Sequence, residues 1–320
     1  MNILSLPGTA LAWLGRQGTR ALAVSIFVGL AVPQLAAYVK PHLGETVFVL
    51  LLFSYLRTDP SAFSRALKAP GLAILAALWV MVAVPLLFGA AYAVSGIREA
   101  MPALYLIMIL QLAIAPITSS AAFAALMGLD VAFSLVGMIV CNALSPITTV
   151  AFGYLFLGAS LISPLELGTK LFFFFAASGA VAWLIRRLAG QQWIEAQTEA
   201  LDGLNVIAVF IFAIAAMDGV PRNVMADPLF ALGLLVFIVV LALALIGLSM
   251  LVFIRTGIER GLVIGLLAGF RNLGVVMAAL GASLPETAWF YFALAQFPIY
   301  LLPALLKPLA RRFPRRAETP

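Results

Sequence analysis

Arg271 sits in GLLAGFRNLGVVMAAL, residues 265–280, with about ten mostly apolar residues on either side. A guanidinium in such a setting has two chemical uses. It can hold a carboxylate or another anionic group on its planar fork. It can also stand as a fixed cation against the carbonyl ends of broken helices. Sequence leaves both open. Asn272 follows it directly, and a second polar cluster, Thr118, Ser119 and Ser120, lies in IAPITSSAAFAALMG, residues 114–128. That segment aligns without a gap on LAGFRNLGVVMAALG, residues 267–281, at an offset of 153. Pro116 meets Gly269, Thr118 meets Arg271, Ser119 meets Asn272 and Gly128 meets Gly281. Each segment reads as a helix breaker, then polar residues, then small apolar ones. A broken helix offers N–H groups with partial positive charge to anions and carbonyls with partial negative charge to cations. The plainer alternative is that the hydroxyls bond back to their own helix or join neighbouring helices.

Other chemistries have little to work with. The chain has one histidine, His42, and one cysteine, Cys141, so a cysteine–histidine metal cluster and Ser-His catalysis are not expected. There is no His-Glu-x-x-His stretch and no pair of aspartates at depth, so an enzyme is not expected, nor a cofactor. Asp130, Asp202, Asp218, Asp227, Glu259 and Glu286 all fall near the ends of apolar runs or in connections. Arg271 therefore has no acidic partner in view. In a straight span it would lie about 15 Å from either surface at a rise of 1.5 Å per residue. An unpaired charge there costs at least ~2.5 kcal/mol, so something must offset it.

The elements that position these residues are membrane spans. Hydrophobic residues make up 64% of the chain, charged ones only 10%, and mean hydropathy is +1.13, which is far from a soluble domain. Runs of about 20 apolar residues predict transmembrane helices, and the alternation a closed barrel needs is absent. Ten spans are predicted at about 21–38, 44–57, 70–94, 101–128, 130–158, 167–189, 201–217, 228–254, 261–282 and 287–308. Charge supports the count. Of 19 Lys and Arg residues, 14 fall at the termini and after even-numbered spans, four (Lys40, Arg98, Lys170 and Arg222) fall on the opposite side, and the last is Arg271. Cytoplasmic loops collect Lys and Arg, so both termini are expected in the cytoplasm. The net charge of +6 is then a topology signal, and nucleic acid is not an expected partner. The first 19 residues are broken by Pro7, Gly8, Gly15, Arg16 and Gly18, so a cleaved signal peptide is not expected.

The two polar clusters fall fourth in consecutive blocks of five spans. An odd block length inverts the second block, which is the pattern of an inverted-repeat transporter. The expected organisation is a cytoplasmic N-terminal segment at 1–20, a first inverted repeat at 21–158, a second at 159–309 and a basic cytoplasmic tail at 310–320. The expected fold is an all-α polytopic membrane protein of ten transmembrane helices, with helices 4 and 9 broken and crossing.

Four stretches carry a resemblance to a known family: VGLAVPQLAAYVKPHLG, SRALKAPGLAILAALWVMVAVPLL, LDVAFSLVGMIVCNALSPIT and AGFRNLGVVMAAL. In order and topology they resemble the bile acid:sodium symporter family, a branch of the sodium/proton-antiporter-like fold. The resemblance implies a core of spans 3–5 and 8–10 and a panel of spans 1, 2, 6 and 7. It implies a substrate site at the crossing, drawing on Thr118, Ser119, Ser120, Asn142, Arg271 and Asn272, with Gln296 as a further polar position. The departures matter more. Where sodium-coupled members have a glutamate and a glutamine, this chain has Leu267 and Arg271, and the fifth-span hydroxyl positions fall on Cys141 and Asn142. The family's two sodium sites are therefore not expected, and proton coupling stays open. The expected function is secondary transport of a small organic anion across a bacterial inner membrane. A non-transporting sensor or a channel on the same fold is the alternative, with an intramembrane enzyme behind it. The related arsenite permeases are set aside because position 117 is Ile where they carry a cysteine.

Overall fold

The computed structural model describes residue 13 and residues 18–58, 71–158 and 162–310. Most of the N-terminal segment at 1–20 and of the basic tail at 310–320 lies outside the described residues, as does the connection holding Arg65 and Lys68. In chain order the helices are α1 (Gly18–Ala31), α2 (Pro33–Val39), α3 (Leu43–Leu56), α4 (Gly71–Leu78), α5 (Val84–Val94), α6 (Ile97–Ala100), α7 (Pro102–Ala113), α8 (Ser120–Met127) and α9 (Val131–Phe152). They continue with α10 (Pro164–Ala189), α11 (Gln191–Ala196), α12 (Thr198–Ala216), α13 (Val220–Ala226), α14 (Pro228–Val252), α15 (Ile258–Gly269), α16 (Leu273–Leu280) and α17 (Glu286–Ala310). No strand occurs among the described residues. The chain is an all-α polytopic membrane protein.

Local chemistry sets many of these boundaries. Proline starts α2, α7, α10, α14 and, one residue in, α13, where its missing N–H costs nothing. Asp130 and Asp227 accept hydrogen bonds from Phe133 N and Phe230 N at 2.8 and 2.9 Å, so carboxylates at span ends cap α9 and α14. Gly128, at φ 77°, closes α8 in the left-handed conformation that glycine adopts without penalty.

Among the described residues, seven helices are long and apolar enough to cross a membrane: Pro33–Leu56, Gly71–Val94, Val131–Leu157, Pro164–Ala189, Thr198–Ala226, Pro228–Val252 and Glu286–Ala310. The predicted spans at 21–38, 101–128 and 261–282 are not among them, because each is interrupted. The first breaks at Val32, whose φ of −126° and ψ of 73° suit a residue preceding proline. A short 3-10 turn at Lys40–His42 then carries α2 into α3. The other two breaks, at 114–119 and 270–272, fall at the expected Pro116 and just after Gly269.

The chain divides into two compact units. One comprises residues 1–58, 170–231 and 274–293, and within it α12 packs against α1, α2 and α3. Arg186 Nη2 donates to the carbonyls of Tyr55, Leu56 and Thr58 at 3.2, 2.9 and 2.9 Å, placing a cation at the carbonyl end of α3. The other unit comprises residues 59–169, 232–273 and 294–320, with α9 at its centre against α4, α7, α8 and α15. The panel expected from spans 1, 2, 6 and 7 falls in the first unit. Residues 274–293 cluster there too, rather than with the six-span core the resemblance implied.

In the second unit α15 lies close to α14 because Gly261, Gly265 and Gly269 recur every four residues. A Cβ on Gly265 would sit 2.8 Å from Ile246 O, and one on Gly269 would sit 3.1 Å from Ala242 O. Small residues at this spacing let helix backbones approach without side chains between them. That approach fixes the end of α15, and so the position of Arg271 two residues further on.

Candidate functional site: a broken-helix crossing around Arg271

Two helices stop at one place. α7 ends at Ala113 and resumes as α8 at Ser120, while α15 ends at Gly269 and resumes as α16 at Leu273. The extended segments meet as an antiparallel bridge between Pro116 and Arg271. Ile117 N donates to Phe270 O and Asn272 N donates to Ala115 O, both at 2.9 Å. Buried main-chain polar groups must find partners, and those exposed by a break at membrane depth are no exception. Two further groups are met from α9. Ala115 N donates to Ser145 Oγ at 3.1 Å, and Thr148 Oγ1 donates to Ala113 O at 2.9 Å, with Thr149 Oγ1 at 3.5 Å from the same oxygen.

Arg271 is 1% exposed and is the largest of the fully buried side chains. Its Nε donates to Ala268 O at 2.8 Å, Nη1 to Ile114 O at 3.0 Å, and Nη2 to Val80 O at 2.7 Å. Nη1 also lies 3.6 Å from the Met81 thioether. The guanidinium thus gathers carbonyls from three separate segments: the end of α15, the break after α7, and the turn between α4 and α5.

The third carbonyl has a specific origin. Trp79–Ala83 is a π-helical turn, and Val84 N bonds back to Trp79 O, five residues earlier. Val80 O is thereby deprived of its ordinary partner, Val84 N. Pro85 is next in line and has no N–H to give. The bulge and the proline together free one carbonyl, and Arg271 takes it. Such bulges commonly mark functional positions in helices.

The sequence-predicted site residues divide by location. Asn272 joins the crossing through its backbone and is 7% exposed. Thr118 and Ser119 are half-buried in the turn before α8, and Ser119 makes no side-chain cap bond. Ser120 is fully buried with no partner for its Oγ, and Asn142 is 2% exposed with no partner for either amide atom. Gln296 is buried in α17. Arg271 is bonded to main-chain carbonyls, one of the two uses the sequence leaves open, and neither Asn142 nor Thr118 is bonded to it. Ser145, Thr148, Thr149, Val80 and Met81 were not singled out from the sequence. Signals for them existed. Hydroxyls at positions 145, 148 and 149 share one face of a helix, and Pro85 interrupts the bonding of the 70–94 run.

Beside Arg271 is a cavity of about 10 Å³, also lined by Gln111, whose Oε1 has no partner. That is room for about one water molecule. No three His, Cys, Asp or Glu residues converge among the described residues.

A scan against protein-family models finds no match for the chain, and a search of curated proteins finds none.

Proposed function

We propose that the chain is a secondary carrier for a substrate bearing a carboxylate, working by alternating access, in which the Arg271 guanidinium is a permanent cation where related carriers bind a coupling ion. One observation carries this reading. Three main-chain carbonyls from three segments converge on one buried cation at the meeting of two broken helices. Carbonyls so arranged suit a metal cation in transporters built from broken helices. Here the protein supplies the cation itself, and its pKa is too high for it to discharge. The amide ends of α8 and α16 face the opposite way from those carbonyl ends along their chains and suit an anionic group. The offset of 153 between the breaks supports two inverted five-span repeats, and with them the resemblance to the bile acid:sodium symporter family. The Lys and Arg distribution supports cytoplasmic termini, and a bacterial inner membrane is the setting proposed with it.

Counterflow in proteoliposomes tests the carrier reading. Vesicles loaded with unlabelled phenylalanine or phenylpropionate should accumulate the same compound as tracer above its equilibrium level, then lose it. A channel gives simple equilibration, and a sensor gives no flux. Either result for both compounds overturns the proposal.

A further inference from the structure

The unit formed by residues 1–58, 170–231 and 274–293 holds a cavity of about 770 Å³, within the range of small-molecule sites. Lys40, Glu45, Asp218, Arg222, Glu286 and Trp289 line it. Four of its five charges form two internal pairs. Lys40 Nζ bonds Asp218 Oδ2 at 2.8 Å and lies 4.5 Å from the centre of the Trp289 ring, and Arg222 Nη2 pairs with Glu286. Glu286 also accepts from Asn223 Nδ2 at 3.3 Å. Two groups have capacity left. Glu45, exposed in the first turn of α3, has no hydrogen bond or ion pair among the described residues. Arg222 spends only Nη2 on Glu286 and keeps the other edge of its guanidinium, which can take a second carboxylate without breaking the first pair. Lys40 and Arg222 are also two of only four basic residues on the basic-poor side of the sequence topology, so their meeting at one cavity is not a by-product of abundant charge.

We propose that this cavity is an outer binding site for a zwitterion carrying an ammonium and a carboxylate on a compact apolar body. The ammonium goes to Glu45, the carboxylate goes to the free edge of Arg222, and the apolar body lies against the wall of Trp289 and Phe290. A dianion is disfavoured because the two basic residues already have counterions and the lining carries two cations against three carboxylates. A simple cation would leave the Arg222 edge unused. The inference rests on the carrier reading only for the expectation that the substrate bears a carboxylate, and it extends that substrate class to zwitterions.

The test is calorimetric binding to the full chain in nanodiscs, with three probes of matched shape: phenylalanine, phenylpropionate and phenethylamine. Phenylalanine should bind at least about tenfold more tightly than either singly charged probe, the equivalent of ~1.4 kcal/mol. Glu45→Gln should bring phenylalanine down to the level of phenylpropionate while leaving phenylpropionate binding unchanged. Arg222→Lys, which keeps the charge and loses the fork, should weaken phenylalanine and phenylpropionate and spare phenethylamine. Equal or tighter binding of either singly charged probe, or no saturable binding of any of the three, overturns the proposal. Flux is read separately. Selective phenylalanine binding without counterflow would sink the carrier reading alone. Counterflow of phenylpropionate without selective phenylalanine binding would sink this one alone.

Discussion

Arg271→Met is expected to lower the melting temperature of the ligand-free protein by roughly 5–10 °C at about 2 °C per kcal/mol. Arg271 donates to three main-chain oxygens at 2.7–3.0 Å. Hydrogen bonds to a charged group contribute about 1.5–3 kcal/mol each, so three sum to about 5–9 kcal/mol. Burying the charge costs at least ~2.5 kcal/mol, and the bonds win. A buried ion pair can often be replaced whole by apolar side chains at little loss. That escape is closed here, because the partners are backbone carbonyls that stay when the guanidinium goes. Arg271→Lys should fall between wild type and Arg271→Met, since an ammonium keeps the charge but cannot span three divergent oxygens. Differential scanning fluorimetry without substrate measures all three. If Arg271→Met melts with wild type, the carbonyls do not depend on the guanidinium. Were the substrate the true counterion, both substitutions would spare stability and abolish binding alone.

The second large effect is expected from α9. Ser145→Ala with Thr148→Val removes the acceptor for Ala115 N and the closest donor to Ala113 O. Each stranded main-chain group costs about 1–3 kcal/mol, so the double variant should lose on the order of 2–6 kcal/mol. Thr149 lies 3.5 Å from Ala113 O and can recover part of that. Combined with Arg271→Met, the losses should not add, because both changes loosen the same break and Ile114 O is its shared edge. Full additivity in the melting temperatures would mean that the hydroxyls and the guanidinium hold independent structures.

Much of this architecture is legible from the chain. Long apolar runs give helices, and the breakers Pro116 and Gly269 give the two interruptions, because proline and glycine act on the backbone where they stand. Carbonyl ends of broken helices were legible as one of two partners open to Arg271, but which carbonyls was not. Carbonyls have no side-chain signature, and a sequence shows Asn142 and Thr118 as polar while hiding Val80 O. That oxygen is available only because of a π turn whose existence depends on packing. Pro85 was the one local trace of it. The break at Val32 was also passed over. Its surroundings, GLAVPQLAAY, are apolar enough to read as one span, and the effect of Pro33 falls on the residue before it. Gly269 reads from sequence as a breaker alone, whereas with Gly261 and Gly265 it also sets the close approach to α14.

The central claim is that the guanidinium occupies the place of a coupling cation, and a sodium titration of the purified protein tests it most directly. Any ion that binds the folded state alone raises the melting temperature as a saturable function of its concentration. Melting curves should be collected in sodium chloride and in choline chloride at equal ionic strength. With Arg271 already on the three carbonyls, the two series are expected to coincide at every concentration. A saturable rise in sodium that choline does not reproduce would contradict the claim.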